Sequence, residues 1–125
     1  MEFRSRRLIK YEDLNPRGTL FGGELLKFID EEAAIYAICQ LNTPNIVTKI
    51  ISEINFISPA KLGDVIEIGM DVAEIGRTSI TFKCEVRNKM TKQTIIKIDR
   101  IVFVNIDADG RPIPHNLSEK KEGND

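Results

Sequence analysis

The stretch GELLKFIDEEAAIYAICQL, Gly23 to Leu41, holds no proline, few β-branched residues and many strong helix formers. It predicts a long helix, ended by Asn42, Thr43 and Pro44. At about 100° per residue, Leu25, Leu26, Ile29, Ala33, Tyr36, Ala37 and Gln40 share an arc of about 120°. Phe28, Ile35, Ile38 and Cys39 fall outside it, so most of the circumference is apolar. A helix of that kind must be covered on most sides. A curved sheet wrapped around it would do so, with a second subunit covering the remainder.

Working outward, the hydrophobic period changes to two on the C-terminal side. Ile46 to Ile57 alternates, with Ile46, Thr48, Ile50, Ser52, Ile54 and Phe56 on one face. The turn Ser58 to Asp64 leads to a second run, Val65 to Ile75, closed by Gly76. Thr78 to Arg87 is a third, with Ile80, Phe82, Cys84 and Val86 on its apolar face, and Thr94 to Ile106 a fourth. On the N-terminal side, Phe3 to Tyr11 reads as a short leading strand, followed by the turn signals Asn15-Pro16 and Arg17-Gly18. A strand, a long helix and then four strands on short turns make an α+β chain with an antiparallel sheet.

The 125 residues suit one core, and 42% hydrophobic with 30% charged side chains is ordinary for a globular domain. Eighteen basic against nineteen acidic groups, without a basic block, argue against a nucleic-acid partner. No apolar run reaches transmembrane length and the N-terminus lacks a secretory pattern, so a cytoplasmic protein without a membrane partner is expected. Cys39 and Cys84 have neither metal-ligand nor disulfide spacing, and Cys84 reads as a small buried strand residue. No metal is expected.

Few residues could carry chemistry. Glu24, Lys27 and Glu31 cluster at about 200° to 260° on the helical wheel, the water-facing side. Asp30 falls at about 140°, between Ala37 and Leu41 and close to Ala34. An acid on an apolar flank is costly unless paired or used. Asp30 is therefore either a weakly dipole-stabilised carboxylate or a reactive one. Gly22 and Gly23 read either as loop residues or as a helix N-terminus with unpaired N–H groups able to hold a developing oxyanion. His115, the single histidine, follows Pro114 and is expected to be a solvent-facing loop residue.

Asn15-Pro16-x-Gly18, Phe21-Gly22-Gly23 and Ile29-Asp30-Glu31-x-Ala33 stand in order along the chain. Asn55-Phe56-x-x-Pro59 with Gly63-Asp64, Gly76-Arg77-Thr78-Ser79, and Val102-Phe103-Val104 with Asp107 and Gly110 follow. This set resembles the hot-dog acyl-CoA thioesterases, above all their bacterial YciA-like branch, which is similar to each half of the cytosolic acyl-CoA hydrolases of animals. The resemblance implies a hot-dog domain over residues 1–117, with a long central helix wrapped by a curved antiparallel sheet of about five to six strands. The polar tail, 118–125, is expected to be disordered.

The resemblance also implies hydrolysis of acyl-CoA at the interface of a homodimer, assembled further as a trimer of dimers. Asp30 matches the general base or nucleophile, Asn15 a water- or thioester-orienting group from the opposing subunit, and Gly23 the N–H donor to the thioester carbonyl. Phe21 and Gly22 would border the substrate, and Arg77, Thr78 and Ser79 the coenzyme A moiety. Coenzyme A enters as part of substrate and product, and no separate cofactor is implied. The rival readings are a non-catalytic acyl-CoA sensor and a hydroxyacyl-thioester dehydratase, the latter lacking a histidine near the helix.

Overall fold

A computed structural model describes residues 1–117. The tail expected to be disordered lies outside the described residues. Five strands, β1 (Glu2–Leu8), β2 (Ile46–Phe56), β3 (Val65–Ile75), β4 (Ser79–Asn88) and β5 (Thr94–Asn105), form one sheet in the order β1-β3-β4-β5-β2. Every neighbouring pair is antiparallel. Helix α1 (Gly22–Leu41) lies against one face. The expected hot-dog layout of a helix held in an antiparallel sheet is what the chain adopts.

The apolar alternation is what closes the core. Ile66, Ile68 and Met70 of β3, Ile80, Phe82, Cys84 and Val86 of β4, and Ile96, Ile98, Ile101 and Phe103 of β5 are buried. They meet Leu25, Phe28, Ile29, Ala33, Ala37 and Leu41 of α1. Phe82 stands between Tyr36 and Phe103, with ring centroids 5.1 Å and 6.2 Å away. Cys84 is the buried strand residue expected, and burial, then the charge of Glu85, pushes its thiol up to about 12. The helix stops where Asn42 adopts the left-handed conformation (φ 57°) and its N–H bonds the Ile38 carbonyl at 2.8 Å.

The largest departure from the expected strand bounds is in β1. β1 ends at Leu8 because Ile9 turns inward, its N–H and C=O bonded to Asp64 and Gly63, and Tyr11–Asp13 then forms a single 3-10 turn. β2 lies at the sheet edge, and Val47, Ile54 and Phe56 on it stay exposed. Ile35 and Ile38, two of the helix residues outside the buried arc, are exposed as well.

On the outer sheet face Glu67 is only 2% exposed. Arg87 Nε donates to it at 2.6 Å, Arg6 Nε at 3.4 Å, and Lys92 Nζ stands 3.5 Å away. The Arg87 guanidinium in turn lies 3.7 Å over the Phe3 ring. Burial raises the Glu67 carboxyl, but the Arg87 hydrogen bond and the charges of Lys92 and Arg87 outweigh it and hold the group below its ordinary value. A pKa lowered by folding contributes stability above the unfolded value that is lost as pH falls through the folded one. Arg6 and Lys92 are more than half exposed, so solvent screens their share. Glu67→Gln is therefore expected to cost about 2 kcal/mol at pH 7, mostly through the Arg87 bond. In thermal melts the gap from wild type should narrow as pH falls below about 4. A gap independent of pH would contradict this account.

Candidate active site

Helix α1 begins with no side chain capping it. Phe21 occupies the cap position, its own N–H bonded to the Asp13 carbonyl at 2.9 Å, and the first intrahelical bond runs from Leu25 N to Phe21 O. The N–H groups of Gly22, Gly23 and Glu24 therefore point out at the positive end of the helix dipole without intrahelical acceptors. Two half-exposed phenyl rings bracket them. A Cβ added to Gly22 would sit 3.4 Å from the Phe56 ring, and one added to Gly23 would sit 3.4 Å from the Phe21 ring. Beside this end lies an apolar cavity of about 300 Å³, lined by Leu20, Gly22, Leu25, Phe56, Pro59 and Ile95 among others. Phe56, a motif position without an expected place in the site, reaches Gly22 across 34 residues of chain, a contact that depends on β2 reaching the helix start.

Asp30 is half-buried on the flank of α1 that faces β2, away from Lys27 and Glu31, as the helical wheel indicated. The Thr48 hydroxyl donates to its Oδ1 at 2.8 Å, which fixes the carboxylate's rotamer and leaves Oδ2 available. Thr48 was not singled out from the sequence. The available signal was a hydroxyl two residues from Ile46 in the alternating run. The single face expected for that run does not persist: a register shift between Thr48 and Ile50 breaks it, and Ile51 rather than Ile50 packs on the core with Ile46.

Asn15 shapes its own loop. Its Oδ1 accepts from the backbone N–H of Arg17 (2.9 Å) and Thr19 (3.2 Å), and its Nδ2 donates to Thr19 Oγ1 (3.0 Å). Gly18, at φ 85°, closes the turn. One Nδ2 hydrogen remains for another acceptor.

Arg77, Thr78 and Ser79 form the β3–β4 turn, drawn tight by a 3.0 Å bond from Gly76 N to Ser79 O. A Cβ on Gly76 would meet Ser79 Oγ at 2.5 Å, so any larger residue there would have to turn the Ser79 hydroxyl aside. Gln40, in the last turn of α1, lines the same cavity as Val72 to Ile75, which places this turn near the helix's C-terminal end. His115 corrects an expectation. It is buried, with Nε2 2.8 Å from the Ser79 carbonyl and Nδ1 accepting from Leu117 N at 2.9 Å.

Within one chain these residues form separate groups. Gly23 and Asp30 lie seven residues apart on one helix, a rise of about 10 Å, too far for both to touch one reacting carbon. Asp30 pairs with Thr48, whereas Asn15 bonds within its own loop. A charged groove of about 410 Å³ between β1 and α1, lined by Arg7, Lys10, Glu12, Asp13, Glu24 and Lys27, contains none of the site residues. Among the described residues, no group of three or more His, Cys, Asp or Glu side chains could hold a metal ion, and no helix is long and apolar enough to cross a membrane.

Comparison with known proteins identifies the family to which this fold belongs. Residues 17–95 match the family model described as thioesterase superfamily. An uncharacterized acyl-CoA thioester hydrolase of Haemophilus influenzae is 31% identical over 125 residues, covering 94% of this chain and 80% of that protein. The chain spans 60% of the length of a Bacillus subtilis relative of the same description. A hexameric broad-specificity acyl-coenzyme A thioesterase, solved as an aspartate-to-alanine mutant, superposes with a TM-score of 0.83 at 26% identity, covering 96% of this chain and 94% of that one. The acyl-CoA hydrolase of Staphylococcus aureus, solved with butyryl coenzyme A, coenzyme A and coenzyme A disulfide, gives 0.77 at 28% identity over 88% and 66%. With the family model spanning more than half of the sequence and the helix-in-sheet fold superposing on its members, the chain belongs to the thioesterase superfamily, on the hot-dog fold.

Proposed function

We propose that the protein hydrolyses acyl-CoA thioesters to a free carboxylic acid and coenzyme A. The observation that carries the reading is the pairing, in a member of this superfamily, of a bare helix N-terminus at Gly22-Gly23 with a Thr48-oriented carboxylate at Asp30. A thioester carbonyl is electrophilic and a thiolate leaves readily, so an oxyanion donor, an oriented water and a base meet the chemical need. The Gly23 N–H takes the carbonyl oxygen as negative charge develops. Asp30 removes a proton from water as its oxygen bonds to the carbonyl carbon, or attacks that carbon itself. The C–S bond then breaks and the coenzyme A thiolate leaves. On the first route Asp30 passes it the proton taken from water. On the second, water cleaves the mixed anhydride left on Asp30, which frees the carboxylic acid, restores the carboxylate and supplies the thiolate's proton.

The 10 Å rise between Gly23 and Asp30 supports a site shared by two protomers. If two copies of α1 run antiparallel with the twofold axis passing between Gly23 and Asp30, the N-terminus of one comes beside Asp30 of the other. One half-site is then Asp30 with Thr48, and the other is Gly23 with Asn15, whose uncommitted amide hydrogen can reach water or the thioester. The unpaired edge of β2 with exposed Val47, and Ile35 and Ile38 on the helix, offer the surface for that pairing. A trimer of such dimers accords with the hexameric protein on which the chain superposes. Near the helix's C-terminal end, Arg77, Thr78 and Ser79 border the nucleotide end of coenzyme A, with Phe21, Gly22 and Phe56 around the thioester.

Thiol release from short-, medium- and long-chain acyl-CoAs tests the reading. Release well above the spontaneous rate with at least one chain length is expected. Tight coenzyme A binding without thiol release from any of them would favour the non-catalytic sensor instead.

A further inference from the structure

His115 is buried and holds the turn that carries Arg77, yet nothing in the hydrolytic chemistry uses it. After β5 the chain turns at Asp107 and comes back alongside the strand, Ile113 N bonding Asn105 O at 2.9 Å. The buried Asn105 side chain lies 3.3 Å and 3.4 Å from the Ile113 and Pro114 carbonyls, and Leu117 is 1% exposed. This returning segment and the end of β5 reach three successive carbonyls of the β3–β4 turn. His115 N donates to Arg77 O at 3.2 Å, Asn105 N to Thr78 O at 2.8 Å, and the His115 ring to Ser79 O at 2.8 Å. Fixing three successive carbonyls fixes their peptide planes, because each peptide unit is planar. The ring's role is specified as well. Nδ1 accepts from Leu117 N, so Nε2 carries the proton given to Ser79 O, and the neutral Nε2–H tautomer is the form that satisfies both bonds.

We propose that His115 is a positioning residue for coenzyme A recognition: by holding the Arg77–Ser79 turn through Ser79 O, it sets affinity for the nucleotide end of the substrate and leaves the chemical step alone. The proposal rests on the acyl-CoA reading. It assigns to the C-terminal segment a part in substrate binding without direct contact to the substrate. Energetically, one buried hydrogen bond to a turn is enough to change an ordered binding surface into one that must be ordered at each encounter, which reduces affinity.

Two side chains separate the two ring contacts. Glutamine can present its amide nitrogen where Nε2 stands, whereas asparagine reaches only as far as Nδ1. His115→Asn is expected to raise KM for acyl-CoA about tenfold with kcat within about twofold, the loss of one buried hydrogen bond. The same acyl group on pantetheine, which lacks the nucleotide, should show a KM within about twofold of wild type. His115→Gln should restore KM for acyl-CoA to within about threefold. A merely structural histidine would lower thermal stability and reduce both substrates alike, and that outcome overturns the proposal, as does an unchanged KM in a folded His115→Asn protein.

Wild-type protein offers a readout that survives a variant that does not fold. His115 is the single histidine, so ¹⁵N-histidine labelling gives one ring spectrum. It should show the neutral Nε2–H pattern and shift when coenzyme A is added. A ring signal unmoved by saturating coenzyme A, monitored in parallel by calorimetry, overturns the proposal alone. Absence of both thiol release and coenzyme A binding in wild type would overturn the acyl-CoA reading, and this inference with it.

Discussion

Asp30→Asn should lower kcat for acyl-CoA hydrolysis by about 10³-fold or more, with the fold intact, since general-base assistance is worth about 10² to 10⁴ and a lost nucleophile more. The substitution is close to isosteric. Asparagine keeps an oxygen where Oδ1 accepts the Thr48 hydroxyl at 2.8 Å, so the side chain retains its rotamer while losing charge and basicity. Asp30 is half-buried and outside the core cluster, so melting temperature should move by only a few degrees, about 1 kcal/mol or less. KM should change little, because the coenzyme A contacts assigned to Arg77–Ser79 lie elsewhere. Asp30→Ala should be as inactive and slightly less stable. Turnover of the folded Asp30→Asn protein within tenfold of wild type would remove Asp30 from the chemistry and leave its bond to Thr48 as a structural contact.

What could be read beforehand tracks the range of the interactions. The central helix and the strand runs follow from periodicity, a local property, and β3 spans the residues its alternation marks out. The position of Asp30 off the charged helix face is local too, because a wheel needs only the rise and turn of one helix. Thr48 was missed as a partner because its bond crosses 18 residues and exists only once β2 lies beside α1. His115 looked like a solvent-facing loop residue, since Pro114-His115-Asn116 carries no hydrophobic period. Its burial comes from the chain folding back over a turn 36 residues earlier. Glu67 occupies an outward position of an alternating run, where exposure is the natural expectation. Phe3, Arg6 and Arg87, brought together by strand register, cover it. The completed site was the part least legible from periodicity and spacing; on the proposed reading half of its groups belong to a second copy of the chain, a division that only the family resemblance implied.

That division of the site leads to a quantitative result. Asp30→Ala and Asn15→Ala homodimers should each be nearly inactive, yet a mixture refolded or coexpressed together should regain activity. A protomer lacking Asp30 still supplies Asn15 and Gly23, and one lacking Asn15 still supplies Asp30 and Thr48. In a mixed dimer one site then carries both lesions and the other carries none. Random pairing makes about half of the dimers mixed, each with one of two sites intact, so activity should recover to about a quarter of wild type. Recovery should need subunit exchange, and simply mixing two stable preparations should restore little until the interface is allowed to dissociate. The KM of the recovered activity should match wild type, because the intact site is complete. If both groups acted within one protomer, every site would carry a lesion and mixing would restore nothing. No recovery after verified exchange would therefore overturn the shared site. The 10 Å separation along α1 would then need another donor near Asp30, and the backbone of the Asp30–Thr48 neighbourhood would be the place to look for it.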